Sequence, residues 1–493
     1  MLPIVVAVAC VVVAGLVVAA TRHTRAAAAA TGPLALKTAD LAVGDILVGT
    51  SPLGGIVEEL SDDEAEAVVE RCVEVGFRHF DTAPHYGLGV AESRLGAGLR
   101  RGCAKLTRTR RAALKILDEE VRVWTKVGRV IKTKDTVAAG DVVEADNLPG
   151  SSTTIYLRVD PRGIHIFHPT SMCAHATAST HALRPCFENS TRAIDSSKTQ
   201  PNRRRFDRAR EFSSLVGTAQ TTGRMPHSDS PEDAVPVLDY SAAGAAKSYA
   251  QSLGRLGPGV VVAGLRCHDP ESPALEAAAL AGSLPGLAAV RAETGKRPAP
   301  PGAETPGAKR RKGENGAAAA PPLPLELSIG LNDAAVALRI LDATNPARGD
   351  GAGGPPALDS VMLAGRWHLL DQTGAPVLAA CAARGVRVEI AGAYASGLLA
   401  GGPNYEYKPA TPAHVARRDA WAALASDHGV SLKAAALKFA FLPAAVSKVA
   451  LGLASTAFVD ETVDIIAEAN AVPAALWKDA VARGLLAPDL LAL

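Results

Sequence analysis

From residue 45 onward, short unbroken apolar runs take turns with stretches in which apolar residues recur every three or four positions. The runs are DILVGT (45–50), RHFD (78–81), VRVWTK (121–126), VVVAGLRCH (260–268), LELSIG (325–330), SVMLAG (360–365), VRVEIAG (386–392) and KVALGL (448–453). Nearly all lack the alternation of a strand with one wet face, so they predict strands buried on both sides. The intervening stretches predict helices. SDDEAEAVVERCVEVG, with Ser61 as cap and an acidic first turn, is the best marked; DYSAAGAAKSYAQSLGRLG, DAAVALRILDAT, GAPVLAACAARG, ATPAHVARRDAWAALASDHG and FVDETVDIIAEA follow. Strand and helix in strict succession build a parallel sheet covered by helices, and closure into an eight-stranded barrel is its economical form. The competing doubly wound sheet lacks its G-x-G-x-x-G turn after the first strand.

Two stretches break this rhythm. Residues 135–238 lack sustained periodicity and predict an irregular insertion, while 296–324, with GKRPAPPGAETPGAKRRKGENGAAAAPP, has the composition of a disordered loop in which the basic run Lys309–Lys312 is expected to be a solvated stretch rather than a nuclear-import patch. Both exceed ordinary strand-to-helix connections. At the N-terminus, Leu2–Thr21 carries no charge and is long enough to cross a hydrocarbon core as a helix. No basic residue precedes it, whereas Arg22 and Arg25 follow, which would leave the remainder on the cytoplasmic side. The expected organisation is a membrane anchor or targeting segment at 1–25, a linker at 26–36, and a barrel over 37–493 carrying the two insertions. Cleavage of the first segment would instead leave a soluble cytoplasmic or organellar protein.

Composition narrows the chemistry. A net charge of +2 gives no electrostatic footprint for nucleic acid, so none is expected as a partner. Seven cysteines without a C-x-x-C argue against a disulfide framework or a closed zinc site and fit a reducing compartment. His165, His168, His175 and His181 have no compact ligand spacing, and no metal is expected.

In a parallel barrel the C-terminal strand ends and the loops beyond them form the active face. Asp81 ends the second run, Lys126 the third and His268 the fourth, and Tyr86 lies just past Asp81. Together they suit hydride transfer coupled to proton transfer at a carbonyl or alcohol carbon. Tyr86 would move the proton, the Lys126 ammonium would favour its phenolate, Asp81 would hold the lysine, and His268 would orient the substrate oxygen. Gly87 and Gly89 permit the sharp turn that folds Tyr86 back toward the mouth.

The segments VGTSPLGG (48–55), VGFRHFDTAPHYGLGVAESRLG (75–96), WTKVGRV (124–130), DYSAAGAAKSYAQSLGRLG (239–257), HDP (268–270), AGRWHLLDQ (364–372) and SGLLAGGPNYEY (396–407) occur in an order that resembles the aldo/keto reductase superfamily. Within it they are most similar to the branch of D-threo-aldose 1-dehydrogenase, L-fucose dehydrogenase and L-galactose dehydrogenase. The resemblance implies a (β/α)8 TIM barrel whose catalytic tetrad is Asp81, Tyr86, Lys126 and His268, and an extended nicotinamide dinucleotide on the same face. Asn332 would hold the carboxamide, and Ser396, Gly397 and Leu398 the pyrophosphate. Gly452 and Ser455 would begin the adenosine-phosphate loop, while Trp367, where this branch carries tyrosine, would wall the pocket. GLASTAFVDETVD (452–464) has no basic residue and supplies Asp460 and Glu461, so NAD is expected in preference to NADP. The implied reaction is oxidation of an aldose such as L-galactose, L-fucose or D-arabinose at C1 to the lactone. The alternatives are a general aldehyde/ketone or pyridoxal-type oxidoreductase, or a nonenzymatic dinucleotide-binding subunit.

Overall fold

The computed structural model describes residues 32–56, 58–106, 121–145, 155–160, 163–167, 230–231, 233–295, 325–346 and 355–492. In chain order the strands are β1 (Ile46–Gly49), β2 (His79–Asp81), β3 (Arg122–Val127), β4 (Arg129–Thr133), β5 (Val142–Ala145), β6 (Ile155–Asp160), β7 (Gly163–Phe167), β8 (Ala234–Leu238), β9 (Val261–His268), β10 (Glu326–Leu331), β11 (Ser360–Ala364), β12 (Arg387–Ala391), the two-residue pair β13 (Asn404–Tyr405) and β14 (Lys408–Pro409), and β15 (Val446–Gly452). All eight apolar runs are strands of one sheet: β1, β2, β3, β9, β10, β11, β12 and β15 pair in parallel in that order, and β15 returns to β1. The sheet therefore closes, and the doubly wound alternative falls away.

Burial on both faces explains why these runs do not alternate. Ile46, Phe80, Val123, Leu265, Ile329, Val361, Ile390 and Val449 are fully buried in the main apolar core. The other face is packed differently. Leu47, Trp124 and Met362 form a small separate cluster with Ala263, Ala391 and Ala450 against it. Trp124 fits because Gly264 has no side chain; a Cβ there would lie 2.3 Å from Trp124 Cδ1. The helix Asp62–Val75 starts as expected, with Ser61 Oγ accepting from Glu64 N and the Glu64 carboxylate accepting from Ser61 N.

The stretch expected to be irregular contributes a second sheet. β4 leaves β3 after one residue, Gly128 (φ 111°), and the antiparallel order is β4-β8-β5-β6-β7. Asp239 N donates to Gly128 O at 2.9 Å, so the insertion leaves and re-enters at nearly one point on the barrel rim. The expected anchor at 2–21, residues 296–324 and His168, His175 and His181 lie outside the described residues. Among those described, one helix, 273–294, is apolar and long enough to cross a membrane, yet its Leu275, Leu284, Leu287 and Val290 are buried in the protein core.

The helices Val90–Lys105 and Ala242–Leu256 cross so closely that a Cβ on Gly96 would lie 1.9 Å from the Leu256 carbonyl oxygen. The three nearest atoms all belong to the Leu256 backbone and cannot rotate away. Gly96→Ala should therefore destabilise the fold by about 1–3 kcal/mol through overpacking, seen as a lower denaturation midpoint. An unchanged midpoint would contradict this crossing.

Candidate active site

The register sets the strand ends level. Asp81 on β2 lies opposite Gly49 and Trp124, Lys126 on β3 opposite Arg266 on β9, and His268 opposite Gly330 on β10. Past Asp81 the chain turns through three successive left-handed residues, Gly87 (φ 60°), Leu88 (φ 50°) and Gly89 (φ 101°). Tyr86 is thereby turned back over the strand ends. Its backbone is pinned from the β1 side: a Cβ on Gly54 would lie 2.7 Å from both Tyr86 C and Gly87 N. The helix that follows is clamped in two directions. Glu92 accepts from Thr125 Oγ1 (2.6 Å) beside Lys126 and from Arg255 Nε (2.6 Å), while Arg94 donates to Leu53 O (2.7 Å), Leu60 O (2.6 Å) and Asp62 (2.8 Å).

Lys126 is 2% exposed. Its ammonium donates to Asp81 Oδ1, to Thr82 O at 3.0 Å and to the Tyr86 hydroxyl at 3.0 Å. Burial alone would lower its pKa, but Asp81 and then Tyr86 carry it above its ordinary value, so it stays charged. The His268 ring stands edge-on to Tyr86 at 6.1 Å between centroids. All four residues placed at the mouth by sequence are thus brought together. Lys126 pulls the Tyr86 pKa down, as expected, but burial is the larger influence and the net shift is upward.

Sequence reading missed two groups. Below the tetrad, Arg266 is fully buried and donates to Asp81 Oδ2 (2.9 Å), Ser328 Oγ (2.7 Å) and Glu389 Oε2 (3.0 Å). Burial raises the Glu389 pKa, against the pull of Arg266. Above it, the inserted sheet delivers Arg129 and Glu144, a buried pair with two hydrogen bonds, whose Nη2–Oε1 member is 2.8 Å. Arg129 Nη2 reaches Asp269 Oδ2 at 3.5 Å, and Glu144 Oε2 lies 3.9 Å from His85 Nδ1. The Asp269 carboxyl pKa is raised, burial first and Glu271 and Glu144 next, with Arg129 and Lys126 opposing.

The residues expected at the cofactor divide. Asn332 is exposed just past β10, where its N and Nδ2 donate to Glu271 and its carbonyl accepts from Arg366 (3.0 Å). Ser396 (φ 55°) and Gly397 (φ 94°) make the turn after β12, and Gly452 is exposed at the end of β15. Ser455 caps the helix Thr456–Asn470, a terminus suited to an anion. The Leu398 side chain is fully buried and has only its backbone in the turn. Trp367 is a correction: its ring is fully buried and stacks on Phe439 at 4.9 Å, so it walls no pocket at the mouth. A cleft of about 630 Å³ opens between the loop after β12 and the flanking helices, lined in part by Leu399, Lys433 and Glu461. Asp460 is already paired with Arg71 (2.7 Å) and Glu461 with Lys433, so they oppose a phosphate less than the sequence suggests. Among the described residues no group of three or more His, Cys, Asp or Glu is placed to hold a metal.

The closed parallel barrel, with a charged lysine against a tyrosine hydroxyl at the C-terminal strand ends, defines a (β/α)8 protein with its proton-bearing groups on the customary active face. Residues 45–146 match the model of the aldo/keto reductase family. The chain is 27% identical over 451 residues to a D-threo-aldose 1-dehydrogenase from a Pseudomonas species, covering 90% of this chain and 95% of that protein. It is 34% identical over 95 residues to L-galactose dehydrogenase of Arabidopsis thaliana, which is 19% of this chain and 26% of that one. It is 35% identical over 97 residues to pyridoxal 4-dehydrogenase of Microbacterium luteolum, which is 20% of this chain and 24% of that one. At the family level the match to the aldo/keto reductases is carried by residues 45–146, and the likeness along the rest of the chain by 27% identity to the aldose dehydrogenase.

Asp81 is the shared partner of two buried cations, and neutralising it strands both. Asp81→Asn should cost about 3–5 kcal/mol of stability, measured by chemical denaturation. A cost below about 1 kcal/mol would mean that Lys126 and Arg266 do not depend on it.

Proposed function

We propose that the protein interconverts a carbonyl and an alcohol with a nicotinamide dinucleotide, and that its substrate is a small aldose oxidised at C1 to the lactone. The observation that carries the reaction class is the Lys126 ammonium bonded at once to Asp81, Thr82 O and the Tyr86 hydroxyl. Support for the sugar is the likeness along nearly the whole chain to a D-threo-aldose 1-dehydrogenase. L-Galactose, L-fucose and D-arabinose are the first substrates to try; a pyridoxal-type or other aldehyde is the second reading, favoured by the 97-residue match.

In this reading the dinucleotide, when bound, supplies or accepts the hydride at the substrate carbon. The protein moves the proton. Tyr86 gives it to the carbonyl oxygen during reduction and takes it from the hydroxyl during oxidation. Lys126 stabilises the phenolate formed on donation, Asp81 and Thr82 O hold the lysine in place, and His268 orients the oxygen. Asn332, Ser396, Gly397, the Leu398 backbone, Gly452 and Ser455 would hold the cofactor, with the cleft beside Lys433 and Glu461 nearest its adenosine end. NAD is preferred in this reading because residues 452–464 offer no guanidinium or ammonium to a 2′-phosphate.

Full-length protein should form reduced nicotinamide, read by its near-ultraviolet absorbance, with NAD and at least one of the three sugars. Tyr86→Phe should lower kcat by about 10²–10⁴-fold while leaving dinucleotide affinity unchanged. Full activity in that variant rejects the proton-transfer role, and equal or better turnover with NADP rejects the cofactor preference. Dinucleotide binding without turnover of any sugar or aldehyde would favour a nonenzymatic subunit.

The raised Tyr86 pKa fixes the pH response. Oxidation needs the phenolate, whose fraction grows up to about tenfold per pH unit below the folded pKa, so kcat/KM for oxidation should climb with pH above neutrality. Reduction uses the phenol already present and should stay flat over the same range. An oxidation profile that is flat or falls there would show that Tyr86 is not the titrating base.

A further inference from the structure

The insertion between β3 and β9 brings a buried ion pair to the barrel mouth that the chemistry proposed above does not use. Arg129 on β4 and Glu144 on β5 have side chains only 6% and 4% exposed. Burying such a pair costs desolvation that an apolar pair would avoid, so its position calls for an explanation. Its contacts form a chain. Arg129 Nη2 and His268 Nε2 approach the same oxygen, Asp269 Oδ2, at 3.5 and 3.3 Å. On the other side Glu144 Oε2 faces His85 Nδ1 at 3.9 Å, and the His85 and His268 rings stand edge to face at 6.4 Å.

The backbone of the HDP turn is held just as firmly. Asp269 sits in the left-handed region (φ 48°), and the Tyr240 hydroxyl, two residues past β8, donates to His268 O and approaches Asp269 O at 3.3 Å. Both ends of the inserted sheet thus converge on His268 and Asp269: β4 and β5 through the Arg129–Glu144 pair, and β8 through Tyr240.

We propose that the inserted sheet is a positioning element of the active site, in which Glu144 fixes Arg129, Arg129 fixes the Asp269 carboxylate, and Asp269 sets the tautomer and tilt of the His268 ring over Tyr86. The insertion is then part of the substrate-orienting machinery. Arg129, Glu144 and Asp269 are positioning residues acting through His268, and the role as stated for catalysis rests on the oxidoreductase reading.

The test uses full-length protein labelled with ¹⁵N-histidine, with the His268 ring signals assigned by their loss in His268→Gln. Glu144→Gln and Asp269→Asn should each change the His268 nitrogen shifts and tautomer balance, and Glu144→Asp should restore most of the wild-type signal. In turnover, both variants should lose about ten- to a hundredfold in kcat with a much smaller change in KM, as expected for a misaligned group. Asp269→Asn leaves the Arg129–Glu144 pair intact and carries the test if Glu144→Gln fails to fold. His268 signals unchanged in the folded variants would overturn the proposal. Because those signals need no substrate, inactivity of the wild-type protein would refute the oxidoreductase reading while the spectra still decide the positioning.

Discussion

One carboxylate holds the centre of this barrel together. Asp81 accepts from Lys126 with one oxygen and from Arg266 with the other, and both cations are almost wholly buried. Arg266 continues to Glu389, so the interior carries two positive and two negative groups drawn from β2, β3, β9 and β12. A unit pair at this range is worth about 4 kcal/mol at an effective dielectric near 20, enough to offset much of the desolvation only when the groups are also hydrogen-bonded. Ser328, on β10, supplies part of that. The arrangement fixes the lysine, and the lysine fixes the tyrosine hydroxyl.

The electrostatics of Tyr86 follow from the same interior. With Asp81 balancing Lys126 and Glu389 balancing Arg266, little net positive charge is left to draw the proton from the phenol, and burial decides the direction of its pKa. Sequence reasoning named Lys126 and not burial, because a lysine near a tyrosine is visible in sequence while the depth of the phenol is not.

What the sequence revealed and what it hid divide along physical lines. The barrel strands were legible because burial on both faces leaves long apolar runs, and Asp81, Tyr86, Lys126 and His268 because each stands at or just past the end of one. Arg266 did leave a signal, as the one Lys, Arg, Asp or Glu in VVVAGLRCH, and a lone charge in a doubly buried strand needs a partner; Glu389 shares VRVEIAG with the exposed Arg387 and was less marked. Trp367 was misplaced because an aromatic in a rim loop looks the same in sequence whether it turns to the mouth or, as here, onto Phe439. The inserted sheet was illegible for another reason. Its strands are four to six residues long and β4 pairs with β8 at the far end of the insertion, so no local periodicity marks it.

That sheet changes how the rim should be understood. β4 continues from β3 through Gly128 alone, and β8 returns to the same glycine through Asp239 N. An excursion tied at so narrow a base could have been a surface ornament swinging clear of the mouth. Here its buried Arg129–Glu144 pair faces Asp269, and Tyr240 grips the His268 and Asp269 carbonyls. Swinging the sheet away would part Arg129 from Asp269 and the Tyr240 hydroxyl from the His268 and Asp269 carbonyls. The insertion is therefore held to the mouth by the same kind of constraint that Asp81 imposes on the interior, a buried charge whose partners sit on different elements.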